Sequence, residues 1–193
     1  LYYNTTTKEI VYSTAGSGPI SSGTNWGDYL YWNNNTSSWT VGSANITLGT
    51  NAGKTNQGTN SVALGTSAGN INQGTSAVAV GLNSGQTNQS ANSVAIGIQA
   101  GQNGQGDSGV SIGNSSGSIG QGPTSVAIGK QAGFYNQLLG AIAIGNQAGT
   151  DRQSTNAIAI GNQAGNTNQN TYSVAIGYQA GNTNQSYSSI AIG

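Results

Sequence analysis

The sequence contains no cysteine, no histidine and no methionine. Without Cys there is no disulfide and no thiolate metal site, and without His or Cys the common nucleophile–base pairs cannot be assembled. Charge is nearly as scarce: 4 Lys plus Arg and 4 Asp plus Glu make up 4% of the 193 residues, against roughly 25% in an ordinary globular chain. The formal net charge is zero, so the chain offers no electrostatic footprint for nucleic acid or for an anionic membrane. No apolar run approaches the length of about 18 residues that a membrane helix needs. Asp occurs only at Asp28, Asp107 and Asp151, too sparsely for a calcium-binding repeat, which places an Asp in every copy. These absences argue against an enzyme, a metal site and a bound cofactor.

What the chain does contain is Gly, 32 times, with abundant Asn, Ser, Thr and Gln. That composition alone would fit a disordered low-complexity tract. The order of the residues does not. The motif [VI]-[ATS]-[ILV]-G begins at residue 46 and returns at 62, 78, 94, 110, 126, 142, 158, 174 and 190, always at an interval of 16. Its closing Gly recurs as Gly65, Gly81, Gly97, Gly113, Gly129, Gly145, Gly161 and Gly177. A second Gly follows four residues later in each complete copy, and a Gln four after that: Gln57, Gln73, Gln89, Gln105, Gln121, Gln137, Gln153, Gln169 and Gln185.

A period of 16 is too short for paired-helix repeats, which need roughly 33 to 47 residues. It suits one coil of a parallel β-solenoid or β-roll. "SVAIG" is β-branched and alternating, as a strand requires. The closing Gly supplies positive φ or a close backbone approach at a turn. "QAG" reads as a short second segment, and "NTNQ" as a third with moderate strand character. Pro123 falls in the return turn, where a missing amide donor is tolerated.

Stacked coils place equivalent residues about 4.8 Å apart. A Lys in every copy would therefore repel its neighbours, whereas Asn, Gln, Ser and Thr can bond to their own kind along the stack. Lys54, Asp107, Lys130, Asp151 and Arg152 occupy five different phases of the repeat, so no charge lies on a like charge. The Gln column is expected to form such a ladder, with a polar binding stripe as the alternative.

Residues i and i+2 of a strand share a face. Val62 and Leu64 therefore point to one side and Ala63 to the other. The same rule pairs Val78 with Val80, Val94 with Ile96, Val110 with Ile112, Val126 with Ile128, Ile142 with Ile144, Ile158 with Ile160 and Val174 with Ile176. A thin interior filled by the small residues leaves these aliphatic pairs outside, as a stripe about 43 Å long over nine steps of about 4.8 Å. The converse, with Val and Ile inside and Ala outside, is the competing assignment. An outer stripe of that size exceeds the apolar patch of an ordinary monomer and calls for a partner, here sister chains.

"NSVAIG" at 92–97, with "SVALG", "SVAIG" and "AIAIG" elsewhere, resembles the head repeat of trimeric autotransporter adhesins of the YadA type. The resemblance covers roughly residues 45–193. It implies a left-handed parallel β-roll, with three rolls around one axis. The period of 16 is longer than the family's usual one, and "QAGNTNQ" differs from its second segment. Longer units such as "SVAIGYQAGNTNQ" are similar to repeats in fibre and surface proteins of large DNA viruses and phages.

Residues 1–44 are of another kind. They hold all three Trp (Trp26, Trp32, Trp39) and five of the nine Tyr. "LYYN-TTTK-EIVYS" and "YLYWN-NNTSS-WTVG" each read as a β-hairpin, with "STAGSGPISSG" as a loop between them. The segment is expected to be a small β module that caps or joins the roll of residues 45–193. Exposed Trp also stacks on sugars, so Trp26, Trp32 and Trp39 are candidate glycan contacts.

The chain starts at Leu1 rather than Met and stops within a repeat, as expected of a piece of a longer protein. The leading expectation is an extracellular structural protein, the shaft of a homotrimeric fibre on a virion or cell surface, that holds or presents an attachment function. An adhesin module that binds a host-surface glycan or receptor is the alternative. Neither nucleic acid nor direct membrane insertion is expected. An ice-binding solenoid would need a regular Thr column. The best one, running from Thr55 through Ile71, Thr87, Asn103, Ile119, Tyr135, Asp151 and Thr167 to Thr183, is irregular.

Overall fold

The structure, a computed structural model, describes residues 2–4, 6, 9–11, 23–34, 36–42 and 44–193. The chain divides into two units, Leu1–Ser43 and Ala44–Gly193. In the first unit, β1 (Tyr2–Asn4) pairs antiparallel with β2 (Glu9–Val11), and β3 (Leu30–Asn33) with β4 (Ser38–Val41). The loop expected between the hairpins lies outside the described residues except for Gly23.

The second unit is an all-β parallel solenoid of about nine coils with no helix among the described residues. Each of the first eight coils carries two strands. The first is the aliphatic segment, as in Val62–Leu64, and the second the polar one, as in Ile71–Gln73. "QAG" and its equivalents are turn. The aliphatic strands stack into a ten-stranded sheet and the polar ones into an eight-stranded sheet, which a single bridge between Thr167 and Thr183 extends. Register follows the period of 16: Val94 pairs with Val110, Ala95 with Ser111, and Gln89 with Gln105.

Two glycine columns make the corner after the aliphatic strand. Gly65, Gly81 and their equivalents have φ near +125°, and a Cβ on Gly65 would lie 2.7 Å from the Gly81 carbonyl oxygen. Both the conformation and the coil spacing therefore demand Gly. The second column, Gly69 onward, has φ near +50°, and a Cβ there would enter the side-chain amide of Gln73.

Non-Gly residues also enter the left-handed region at fixed phases. Asn56, Asn72, Asn88, Asn136 and Asn168, at the centre of the polar strand, and Asn184 at the same phase of the last coil have φ between +50° and +56°. Asn tolerates this conformation better than other L-residues. Its use there breaks simple alternation: the first two residues of the polar strand reach solvent to varying degrees, and only the Gln turns in.

The core is thin. Ala63, Ala79, Ala95, Ala127, Ala143, Ala159 and Ala175 are fully buried, as are Ala68, Ala100, Ala132, Ala148 and Ala164 after the corner. A further inward column of Ser and Ala, with Gly at 109, precedes the aliphatic strand: Ser61, Ala77, Ser93, Ser125, Ala141, Ala157 and Ser173 are also fully buried. The serines hold their own return turns, as where the Ser61 hydroxyl donates to the Gly58 carbonyl at 2.6 Å.

Candidate interaction surface

Alternation within three residues decides what the ten-stranded sheet presents. Ala63 faces the thin interior, so Val62 and Leu64 face out, and the parallel register repeats the choice in each coil. None of the sixteen aliphatics from Val62 to Ile176 is buried. The Val members are half-buried against their stacked neighbours. Leu64, Ile96, Ile160 and Ile176 stand 37 to 40% exposed within the stack. Ile190 and Ile192, on an end strand with one neighbour, rise to 72% and 77%. Ile46 and Leu48 begin the two columns at the other end. The result is two unbroken aliphatic columns on ten strands.

The stripe widens locally. Leu82 and Ile98, each just after a corner Gly, are stacked one coil apart and are 46% and 47% exposed. Sequence reasoning missed them because the phase they share holds Thr, Asn, Lys and Tyr in other coils. The signal was the apolar residue immediately after "AVAVG" and "SVAIG".

The Gln column lies inside. Gln73 through Gln169 are at most 2% exposed, so this column is not a binding stripe. Each amide crosses from the polar sheet to the aliphatic one. Gln137 Nε2 donates to the carbonyls of Val126 at 2.8 Å and Ala141 at 3.0 Å, and to Gln153 Oε1 of the next coil at 3.1 Å. The Gln thus meets the main principle for buried polar groups, a partner for each donor.

Outside, the polar sheet carries its own ladders. Asn56 donates to Asn72 and Asn72 to Asn88, each at 2.9 Å. At the corner, Gln179, Gln163, Gln147 and Gln131 form a third amide ladder with steps of 2.8 to 3.3 Å. Lys54, Asp107, Lys130 and Arg152 are exposed, and Arg152 meets Asp151 at 3.5 Å. Ile71, Ile119 and Tyr135 interrupt the polar face.

In the first unit, pairing of β3 with β4 sets Trp32 opposite Trp39. Their rings meet edge to face with centroids 5.7 Å apart, and each is 49% exposed. The Trp32 indole nitrogen donates to Asn34 Oδ1 at 2.8 Å, which fixes that ring. Trp26 is fully exposed in the turn before β3. That turn is held by Asp28, whose carboxylate accepts from the Thr24 and Asn25 amides at 2.7 and 2.9 Å. These bonds, Asn25 first, lower its pKa. The structure thus brings together Trp32 and Trp39 as an exposed aromatic pair.

No group of three or more His, Cys, Asp or Glu that could hold a metal ion occurs among the described residues. Compared with protein-family models, with curated proteins and with solved structures, the chain finds no match.

Proposed function

We propose that this chain is the shaft of a homotrimeric fibre on a virion or cell surface, in which three left-handed rolls close their aliphatic stripes around a common axis and hold or present an attachment function. The observation that carries this reading is the exposed double column of Val, Ile and Leu. Water-exposed aliphatics in register over ten strands gain about 25 cal/mol for each Å² of apolar surface that a partner covers. A second copy of the same stripe repeats at the same spacing and matches it along its whole length. The Ala-lined interior supports the reading too, because one Ala-and-Gln core buries little apolar surface for each coil it orders.

Native mass spectrometry of the intact chain tests it, with a trimer as the expected species. Replacing Ile96, Ile128 and Ile160 together by Asn is expected to abolish the trimer and the far-ultraviolet β signal of the shaft. A chain that is monomeric before the change, or a well-folded monomer after it, overturns the proposal.

The Trp32–Trp39 pair favours a second role, in which the small module contacts a host-surface glycan. A glycan-binding screen comparing the chain with its Trp32→Ala/Trp39→Ala variant separates the two. Binding lost in the variant assigns attachment to this module, and absence of binding in both leaves the shaft role alone.

A further inference from the structure

The interior of the solenoid is not uniform along its length. Each complete coil turns four side-chain positions inward, and in every one but one at least one of them is Ala. The exception is the coil of residues 109–121, whose inward positions are Gly109, Ser111, Ser116 and Gln121, all buried. It buries no methyl group. The alanines of the neighbouring coils, Ala95 and Ala100 on one side and Ala127 and Ala132 on the other, are fully buried but belong to no common cluster, since this coil puts no methyl group between them.

Two ladders are also broken here, as the Gln ladder is again toward the end of the stack, where Gln185 Oε1 has no donor, and as the outer Asn column is again at Arg152. The internal Gln ladder runs from Gln89 to Gln105 at 3.2 Å and resumes from Gln121 to Gln137 at 3.4 Å. Between them, Gln121 Oε1 accepts instead from the Ser111 hydroxyl at 2.6 Å. Outside, the Asn column reaches Asn88, and its next two positions are Gly104 and Gly120, which have no side chain to continue it. Backbone bonds still join the coil to both neighbours: Val110 donates to Ser125 at 2.9 Å, Gly113 to Ile96 at 2.8 Å and Gly106 to Gln121 at 2.7 Å, although its polar strand pairs with the next only at Ile119 and Tyr135.

We infer that the coil of residues 109–121 is a yield point built into the shaft, where the solenoid opens locally and which divides it into two cooperative blocks. A solenoid's stability is a sum over coils and their nearest-neighbour interfaces, so a weak coil uncouples its two sides. Here three contributions fall together: apolar burial, amide ladders inside and out, and the chain entropy of added glycines. The outer stripe is not interrupted, since Val110 and Ile112 keep their places in it. The weakness is internal and does not rest on the fibre reading. A long shaft gains from it a place to bend or open while both blocks stay folded.

Native-state hydrogen exchange of the intact chain, read by mass spectrometry and corrected for intrinsic rates, tests the inference. Amides of residues 103–122 are compared with the same repeat positions in residues 135–154. They are expected to exchange at least about tenfold faster, which corresponds to about 1.4 kcal/mol less opening free energy. The double variant Ser111→Ala/Ser116→Ala installs the residues that neighbouring coils already carry. It is expected to bring the two segments within about threefold of each other, since about two methyls' worth of burial is restored. Equal rates in the unmodified chain, a fastest internal coil elsewhere, or a double variant that leaves the contrast unchanged each overturn it.

Discussion

The two sheets of the solenoid are built from one repeated unit, yet they meet their surroundings in opposite ways. The ten-stranded sheet turns Ala in and Val or Ile out. The eight-stranded sheet turns Gln in and mostly Asn and Thr out. The inward residues explain both. The space between the sheets admits Ala from one side, and from the other a Gln whose amide bonds across the gap to backbone carbonyls of the aliphatic strand. The aliphatics are outside because the interior has no room for them. The polar sheet can instead face water, because its outward amides bond along the stack. One sheet is thereby finished as a surface, while the other asks for a cover.

Substitutions at the corner, in the interior and on the polar face measure this contrast. Among single changes, the largest effect is expected at the corner that both sheets share. Gly97→Ala sets a side chain at φ +126°, with its Cβ 2.7 Å from the Gly113 carbonyl oxygen. It should cost about 3 kcal/mol or more and lower the thermal midpoint sharply, in both sheets together. Gln137→Leu keeps the approximate volume but leaves Gln153 Oε1 buried without the donor it now has. The expected loss is about 2 kcal/mol in denaturant unfolding. A neutral result would mean that the interior needs only bulk at this position. Asn72→Ala, on the outer polar face, is expected to cost about 1 kcal/mol through the left-handed backbone and two ladder bonds. Asn72→Gly removes the same bonds without the backbone strain, so the difference between the two variants separates the contributions.

The aliphatic sheet was legible because its information is local and periodic. A β-branched residue on each side of an Ala fixes the strand, its two faces and, through the interval of 16, its register. The polar strand was legible only as a strand. "NTNQ" read by alternation gives no reason for one Gln to be inside. What turns it in is the left-handed backbone of the residue before it, Asn in most coils, Gly104, Gly120 or Arg152 in the others, together with carbonyls supplied by residues 11 positions earlier and 4 later. The Ser and Ala column at Ser61 and Ala77 was hidden for a similar reason, since it sits in what composition reads as a turn. The loop expected at residues 13–23 lies outside the described residues except for Gly23. Trp32 and Trp39 were visible as aromatics, but their edge-to-face pairing needed the register of β3 on β4.

The sequence by itself determined the coil length, the stacking register, the glycine corners and the separation of small from bulky residues onto opposite faces of the aliphatic strand, because each follows from a period or from the stereochemistry of single residues. Only the tertiary structure decided that the glutamines cross the interior, that Ser111 diverts one of them, and that the aliphatic columns and the tryptophan pair lie open to solvent. Those features depend on which groups come within bonding distance after the chain has wound back on itself, and side-chain order along the chain does not carry that distance.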